Sequence, residues 1–512
     1  MLTNLISKAA KTNPEHTAII CGANRLSYKE LFDQIQIFSI GLKKIGAKEG
    51  ETILIMLPNC PELVVCFYAV ANIGARLVFL PLSSTQAELQ HYLKKFKPTL
   101  ILTDQHRNAF FREATNNLKQ DIPIVNAKDL ISQTKTKDIN KQTALSRNHK
   151  LHKGEFVFFR SSGSTGDPKF IIHTQKRLSR LVIIRKETAK LTPTDIFLCV
   201  SPIDNPFTIG GYLVTPLGIG ATVVFLEEAH DNSATPVSLA FQRPEIIRLI
   251  QQEKVTVISS LPWAFKLLSD MSTKEIGDVS SLRLCFSGGS TLSQNIFESF
   301  QTKFGLPLRQ TYGCAEVIVA AINMENHIEN IGPVGRPAFD VKIRIINAEE
   351  ETVPPGVVGR IQIKSPVQAK QYYDDPQLST KSFKNGWFLT DDLGSIDDQG
   401  RLHLNGRVSD WIDIGGYKID PHEIEQVLLT HKKIKEAVVV GGEGQNHETI
   451  LKAVLITNSN NHKLSTDELQ TYCRNKLSPH KVPQLYEFRD TLPRTTSGKV
   501  KRHVLTAKNN TH

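Results

Sequence analysis

Between two apolar stretches, Phe156–Phe159 and Phe170–His173, the chain reads Ser161-Ser162-Gly163-Ser164-Thr165-Gly166-Asp167-Pro168-Lys169. Hydroxyls and glycines at this density expose backbone N–H groups and let an anion approach closely, which is what cradling a phosphate requires. The stretch lacks the Gly-Lys-Ser/Thr ending of a Walker loop and leads into a strand pattern rather than a helix. A flexible Ser/Gly linker has no reason to end in Pro-Lys between two hydrophobic strands. Charged residues suited to work beside such an anion follow at wide spacing: Glu316, the pair Asp391-Asp392, Arg407 and Lys499. Cys314 reads as a small pocket-wall residue, because no His is placed near it in sequence.

Five ordered stretches carry a resemblance to a known family. They are the nonapeptide above, Gln310-Thr311-Tyr312-Gly313-Cys314-Ala315-Glu316, Phe388–Gly394, Gly406-Arg407-Val408-Ser409-Asp410 with its continuation through Gly415-Gly416-Tyr417-Lys418-Ile419 to Glu425, and Leu492–Lys499. Together the chain resembles the adenylate-forming superfamily: acyl-CoA synthetases, aryl-acid adenylating enzymes, the adenylation domains of peptide synthetases and luciferases. The resemblance covers nearly the whole chain.

It implies ATP-dependent activation of a carboxylic acid to an acyl-adenylate with release of pyrophosphate. The acyl group then passes to a thiol, either coenzyme A or the phosphopantetheine arm of an acyl or aryl carrier protein supplied in trans. The catalytic residues implied are Lys499, Glu316 and Thr165, with Glu316 and Thr165 holding Mg²⁺. Ser161, Ser162, Gly163, Ser164, Thr165, Gly166 and Lys169 would hold the leaving phosphates. Asp392 and Arg407 would bind the ribose hydroxyls, since a carboxylate accepts two hydroxyl hydrogens and a guanidinium adds directional donors. Gly288, Gly289 and Ser290, with Thr311, Tyr312 and Gly313, would line the adenine. The resemblance also implies a hinge at Ser409 and Asp410, a thiol tunnel at Gly415, Gly416 and Tyr417, and an acid pocket drawing on Asn205, Phe207, Gly211 and Cys314. The chain departs from the family's usual pattern at several positions, among them Ser409, where the family more often has Asp or Lys. Asp391 replaces a glycine, Asp413 stands where Lys is frequent, and Asp204-Asn205 leans toward an aryl or other compact carboxylate. A luciferase-like oxidative enzyme and a non-catalytic nucleotide-binding interaction protein are the alternatives that share these motifs.

The elements that must position these residues follow from periodicity. Repeated strand–helix–strand spacing over the first hundred residues, resumed after Phe156, indicates an α/β chain. The expected architecture is a large N-terminal domain, residues 1–407, of parallel-rich sheets with helices plus a β-rich subdomain near Val341–Leu404. A small mobile α+β C-terminal domain, residues 408–512, carries Lys499. Ala127–Gly154 has no apolar period and reads as a surface connection. At 512 residues the chain exceeds a single core. Its 62 Lys+Arg against 51 Asp+Glu give a mild, dispersed +11, which suits anionic small molecules and carries no clustered face for nucleic acid. Seven scattered cysteines point to a reducing, cytoplasmic setting. The most apolar stretch, Leu63–Ala75, is too short to span a bilayer, so no membrane insertion is expected.

Overall fold

The computed structural model describes residues 2–133, 154–161, 169–227, 242–328, 331–414, 417–444, 449–458, 464–494 and 500–506. The chain packs as two compact units, Met1–Ile343 with Ile363–Leu389, and Arg344–Gln362 with Thr390–His512. The boundary expected at residue 408 falls inside the second unit.

The first unit holds two α/β sheets. One is six-stranded, in the order Ile124–Asn126, Leu100–Thr103, Thr52–Ile55, Arg76–Phe79, Glu155–Ser161, Lys169–Thr174. Its neighbours are parallel except the last two, which form an antiparallel hairpin with Ser161 opposite Lys169. The other sheet is nine-stranded, and its middle is a parallel run of Leu308–Tyr312, Leu284–Gly288, Val257–Ser260, Ile196–Cys199, Thr222–Phe225 and Thr17–Cys21. Apart from Leu308–Tyr312, whose Arg309, Gln310 and Thr311 are only partly buried, these strands are short runs buried almost throughout, as parallel strands covered by helices must be. Their register places Cys199, Ser260, Gly288 and Tyr312 near one carboxyl edge, where open α/β sheets bind ligands.

The helices form where the sequence pattern places them. Ser27 and Glu30 make a reciprocal capping box that opens Tyr28–Lys44. The most apolar stretch becomes the buried helix Pro61–Ile73, closed by Gly74. Among the described residues no helix is long and apolar enough to cross a membrane. Ala127–Gln133 is a helix rather than irregular connection, a correction to the sequence reading. Ala127 and Leu130, one turn apart, are buried and seat it against the helices Tyr28–Lys44 and Pro61–Ile73. A single turn of apolar spacing is too short to register as a period.

In the second unit, Trp387–Ile396 pairs antiparallel with Leu402–Arg407, setting Asp392 opposite Arg407. Farther on, Ile434–Glu443, Thr449–Thr457 and Leu485–Phe488 form a three-stranded sheet. Its alternate residues face opposite cores: Ala437, Val439, Ala453 and Leu455 pack with residues of the helices Pro421–Leu429 and Thr466–Arg474, while Val438, Val440, Val454 and Ile456 pack with Leu492 and Leu505.

A buried ion cluster ties this unit together. Glu425, 6% exposed, accepts from Arg502 Nη1 at 2.7 Å and Nη2 at 3.0 Å, from the Val439 N–H at 2.7 Å, and lies 3.0 Å from His422 Nδ1. Asp410 faces His422 at 3.6 Å and Arg502 at 3.8 Å. Burial works against His422's charge, but Asp410 and Glu425 overcome it and raise its pKa to about 9. Removing one partner strands a buried charge, so Arg502→Leu is expected to destabilise this unit by about 3–5 kcal/mol in urea unfolding. Glu425→Leu added to it should recover much of the loss.

Candidate active site

Glu316 is the centre of the described site. It is 4% exposed, and its Oε1 accepts from Ser161 Oγ at 3.0 Å and from the Tyr372 hydroxyl at 2.8 Å. Three segments far apart in sequence therefore meet on one carboxylate. Tyr372 arrives because Val367–Tyr373 lies along the strand Lys169–Thr174, with Tyr373 N–H donating to the Phe170 carbonyl and Ala369 N–H to that of Glu316. Burial and the neighbouring carboxylate push the Tyr372 pKa far up, so the phenol stays a donor.

The backbone that aims Glu316 is tightly folded. A Cβ on Gly313 would stand 2.2 Å from the Ile318 carbonyl oxygen, so only glycine admits this turn. Ile318 adopts φ 60°, strained for a β-branched residue, with its N–H on the Cys314 carbonyl. Beneath it, buried His173 donates from Nε2 to the Ala315 carbonyl at 2.8 Å. Desolvation lowers the His173 pKa to about 4, and the Ala315 contact offsets only part of this.

Ser161 and Lys169 end the two strands of a hairpin. Ser162, Gly163, Ser164, Thr165 and Gly166 lie outside the described residues, as do Gly415, Gly416 and Lys499. Gly288 closes its strand and pairs in register with Thr311, while Gly289 and Ser290 follow exposed. A Cβ on Gly288 would meet Thr311 Cγ2 at 2.5 Å and the Phe207 ring at 2.9 Å, so protein packing fills the space beside that Cα. Tyr312 is buried and Cys314 half-buried. The Asn205 side chain caps a short helix, accepting from the Phe207 and Thr208 N–H groups at 3.1 Å and donating to Asp204 at 3.0 Å. Its oxygen is thus committed to the helix backbone and its nitrogen to the Asp204 carboxylate. Burial raises the Asp204 pKa to about 6.

In the second unit, Arg407 Nε donates to Asp392 Oδ1 at 2.7 Å, and Thr390 Oγ1 accepts from the Asp392 N–H at 3.1 Å. Asp391 is partly exposed on the opposite face of the strand and does not join Asp392. Gly406 has φ 107°, and a Cβ there would lie 2.9 Å from Asp420, the cap of Pro421–Leu429. Ser409 and Asp410 form the turn Val408–Asp410 that follows. Asp413 pairs with Lys418, and Tyr417 with Ile414, in a two-stranded ribbon. Tyr372 and His173, which bond to Glu316 and to the turn that carries it, are the residues that motif spacing missed.

The site fits Mg²⁺ with a nucleotide. Both recorded bonds to Glu316 are from neutral hydroxyls on one oxygen. Among the described residues no cluster of three or more His, Cys, Asp or Glu could hold a metal alone. Magnesium takes one or two carboxylates and completes its octahedron with phosphates and water, so a lone buried carboxylate suits it.

A buried carboxylate held by two hydroxyls stands just past the carboxyl end of a strand in a parallel run, the edge at which open α/β sheets bind their ligands. The chain belongs to the AMP-binding enzyme family: that family's profile matches residues 6–373, and the AMP-binding enzyme C-terminal domain matches 423–499. It is 29% identical to the 2-succinylbenzoate–CoA ligase of Bacillus licheniformis, over 98% of this chain and 99% of that one. It is 28% identical to the oxalate–CoA ligase of Arabidopsis thaliana, over 98% of each. The o-succinylbenzoate coenzyme A synthetase of Bacillus subtilis, solved with ATP and a magnesium ion, superposes with TM-score 0.83 at 25% identity, covering 98% of each chain. The chain is an adenylate-forming acid–thiol ligase that uses ATP, Mg²⁺ and a pantetheine thiol.

The folded-state pKa of His173 lies below the unfolded 6.5, so the unfolded chain binds a proton that the native state refuses. This contribution is complete above pH 6.5 and is lost as pH falls toward 4, reaching on the order of 3 kcal/mol. His173→Gln, which can keep the Ala315 bond, should flatten that limb in thermal melts between pH 4 and 7.

Proposed function

We propose that the chain joins a compact carboxylic acid to the thiol of coenzyme A. Its relatives named for the coenzyme A ligation of 2-succinylbenzoate and oxalate support that acceptor over a carrier-protein arm. Phe207 against Gly288 and Thr311, with Asn205 fixed as a cap, supports a short pocket. The single observation carrying the reading is Glu316, a buried carboxylate met only by neutral hydroxyls among the described residues.

In the first half-reaction a substrate carboxylate oxygen attacks the α-phosphorus in line and pyrophosphate leaves. Positioning and electrostatics supply the rate. Glu316 and Thr165 would hold Mg²⁺, which would supply neutralisation of the charge developing on the phosphates. The 161–169 hairpin holds the leaving phosphates, Asp392 and Arg407 hold the ribose, and Lys499 donates to the reacting carboxylate and α-phosphate. A swing about Ser409 then exchanges Lys499 for the Gly415, Gly416 and Tyr417 tunnel, through which the thiol attacks the adenylate. The Asp410–His422–Arg502 contacts keep the segment after the pivot rigid, so it moves as a body. Seven cysteines, none in a disulfide, support a reducing, cytoplasmic setting.

Acid-dependent ATP–pyrophosphate exchange, with coenzyme A consumption followed in parallel, tests this reading. A broad acid panel giving no exchange overturns it, and a carrier-protein arm offered in place of coenzyme A tests the acceptor. Lys499→Ala should lower exchange by about 10²–10³-fold while thioester formation from supplied acyl-adenylate survives. Equal loss of both half-reactions would remove the two-conformation scheme. Glu316→Gln should cut exchange about as deeply and raise the Mg²⁺ concentration needed for half-maximal rate.

A further inference from the structure

The helix Gln175–Ala189 buries Leu178, Leu181, Val182 and Ala189 on one face, and that face also carries Arg185, 7% exposed. The guanidinium lies over two glycines: Nη1 stands 3.7 Å from the position of a Cβ on Gly210 and 3.6 Å from one on Gly211. The same Gly210 position is 3.2 Å from Ile318 Cγ2, on the strained turn that carries Glu316. The cation thus lies within ordinary contact distance of both glycine positions. Both glycines belong to Ile209–Val214, a π-helical segment of the kind found at functional sites.

Arg185 has no hydrogen bond or ion pair with any described residue. The group that faces it electrostatically is Tyr212, whose hydroxyl is occupied by the Ser259 backbone. Burial lowers its pKa to about 10, which leaves it cationic at neutral pH. A buried cation without a counter-charge opposes folding unless something else answers it. Its planar fork of donors matches a carboxylate bidentately.

We propose that Arg185 receives a second carboxylate of the substrate, making the acids activated by this ligase dicarboxylates. This rests on the ligase reading above and adds the substrate class. One carboxylate reacts with the α-phosphorus, and the other stays ionised on the guanidinium.

The test measures pyrophosphate exchange and thioester formation for wild type, Arg185→Met and Arg185→Lys. The probes are malonate, succinate, glutarate and phthalate, each beside its monomethyl ester. Wild type should favour at least one diacid over its half-ester by about 100-fold or more in kcat/KM, because a site built for a polar group rejects the analogue lacking it. Arg185→Met should lose that preference through the KM of the diacid and gain on the half-ester, and Arg185→Lys should keep part of it. The Tm of Arg185→Met should rise, since an unpaired buried charge is gone. A fall in Tm with equal loss on both probes makes the residue structural and overturns the proposal. Equal wild-type rates on diacid and half-ester overturn the subsite and leave the ligase intact. If no acid supports exchange, calorimetry with the same diacids decides. Binding that depends on Arg185 keeps the subsite and overturns the ligase reading, and absence of binding overturns both.

Discussion

A buried carboxylate needs a counter-charge, and this requirement organises the catalytic face of the first unit. Glu316 sits out of water with two neutral hydroxyls on the same oxygen, a poor exchange for hydration of an anion. Bringing those hydroxyls there demands the hairpin that ends in Ser161, the Val367–Tyr373 segment and the fold of Gly313 under Ile318. The left-handed Ile318 would relax if the turn were free. Contacts at Cys314, Ala315 and Ala369 over-determine it, and local strain survives in that way where geometry matters. Among the described residues the negative charge has no counter-charge, and the proposed magnesium-bearing nucleotide would supply one.

The two units treat charge differently. In the second, Glu425, Arg502, His422 and Asp410 neutralise one another, and Arg407 and Asp392 are bonded to each other. Those pairings fix positions: the Gly406 approach to Asp420 ties the proposed ribose pair to the start of the helix Pro421–Leu429. In the first unit, Glu316 and Arg185 have no ionic partner among the described residues. Paired charges build a frame, whereas isolated buried charges of opposite sign mark where a ligand supplies the missing half.

Much of this was legible in the sequence, for reasons that are local. Glycine and hydroxyl residues at fixed spacing, the Ser27–Glu30 box, and apolar runs of strand length each depend on neighbours a few residues away. The parallel sheets followed from that spacing. What stayed hidden is what needs distant chain to meet. Tyr372 gains its role only when its segment lies on Lys169–Thr174, and His173 only when its strand passes beneath Ala315. The packing of Thr311 and Phe207 beside Gly288 likewise arises only once separate strands and loops meet. Arg185 could have been noticed, because Leu178, Leu181, Val182 and Ala189 set a stripe that a charge interrupts.

The departures at Asp391 and Asp413 raised the question of a site losing its chemistry. Asp391 faces away from Asp392, so the extra carboxylate does not enter the ribose pair. Replacing an isolated buried charge with a neutral side chain of similar volume tends to stabilise a protein. A site released from catalysis would therefore drift toward neutrality at Glu316 first. In this chain the carboxylate is present, with a strained turn beneath it and a glycine that admits no side chain. The fold carries two local costs at one place, and the proposed ligand would offset both.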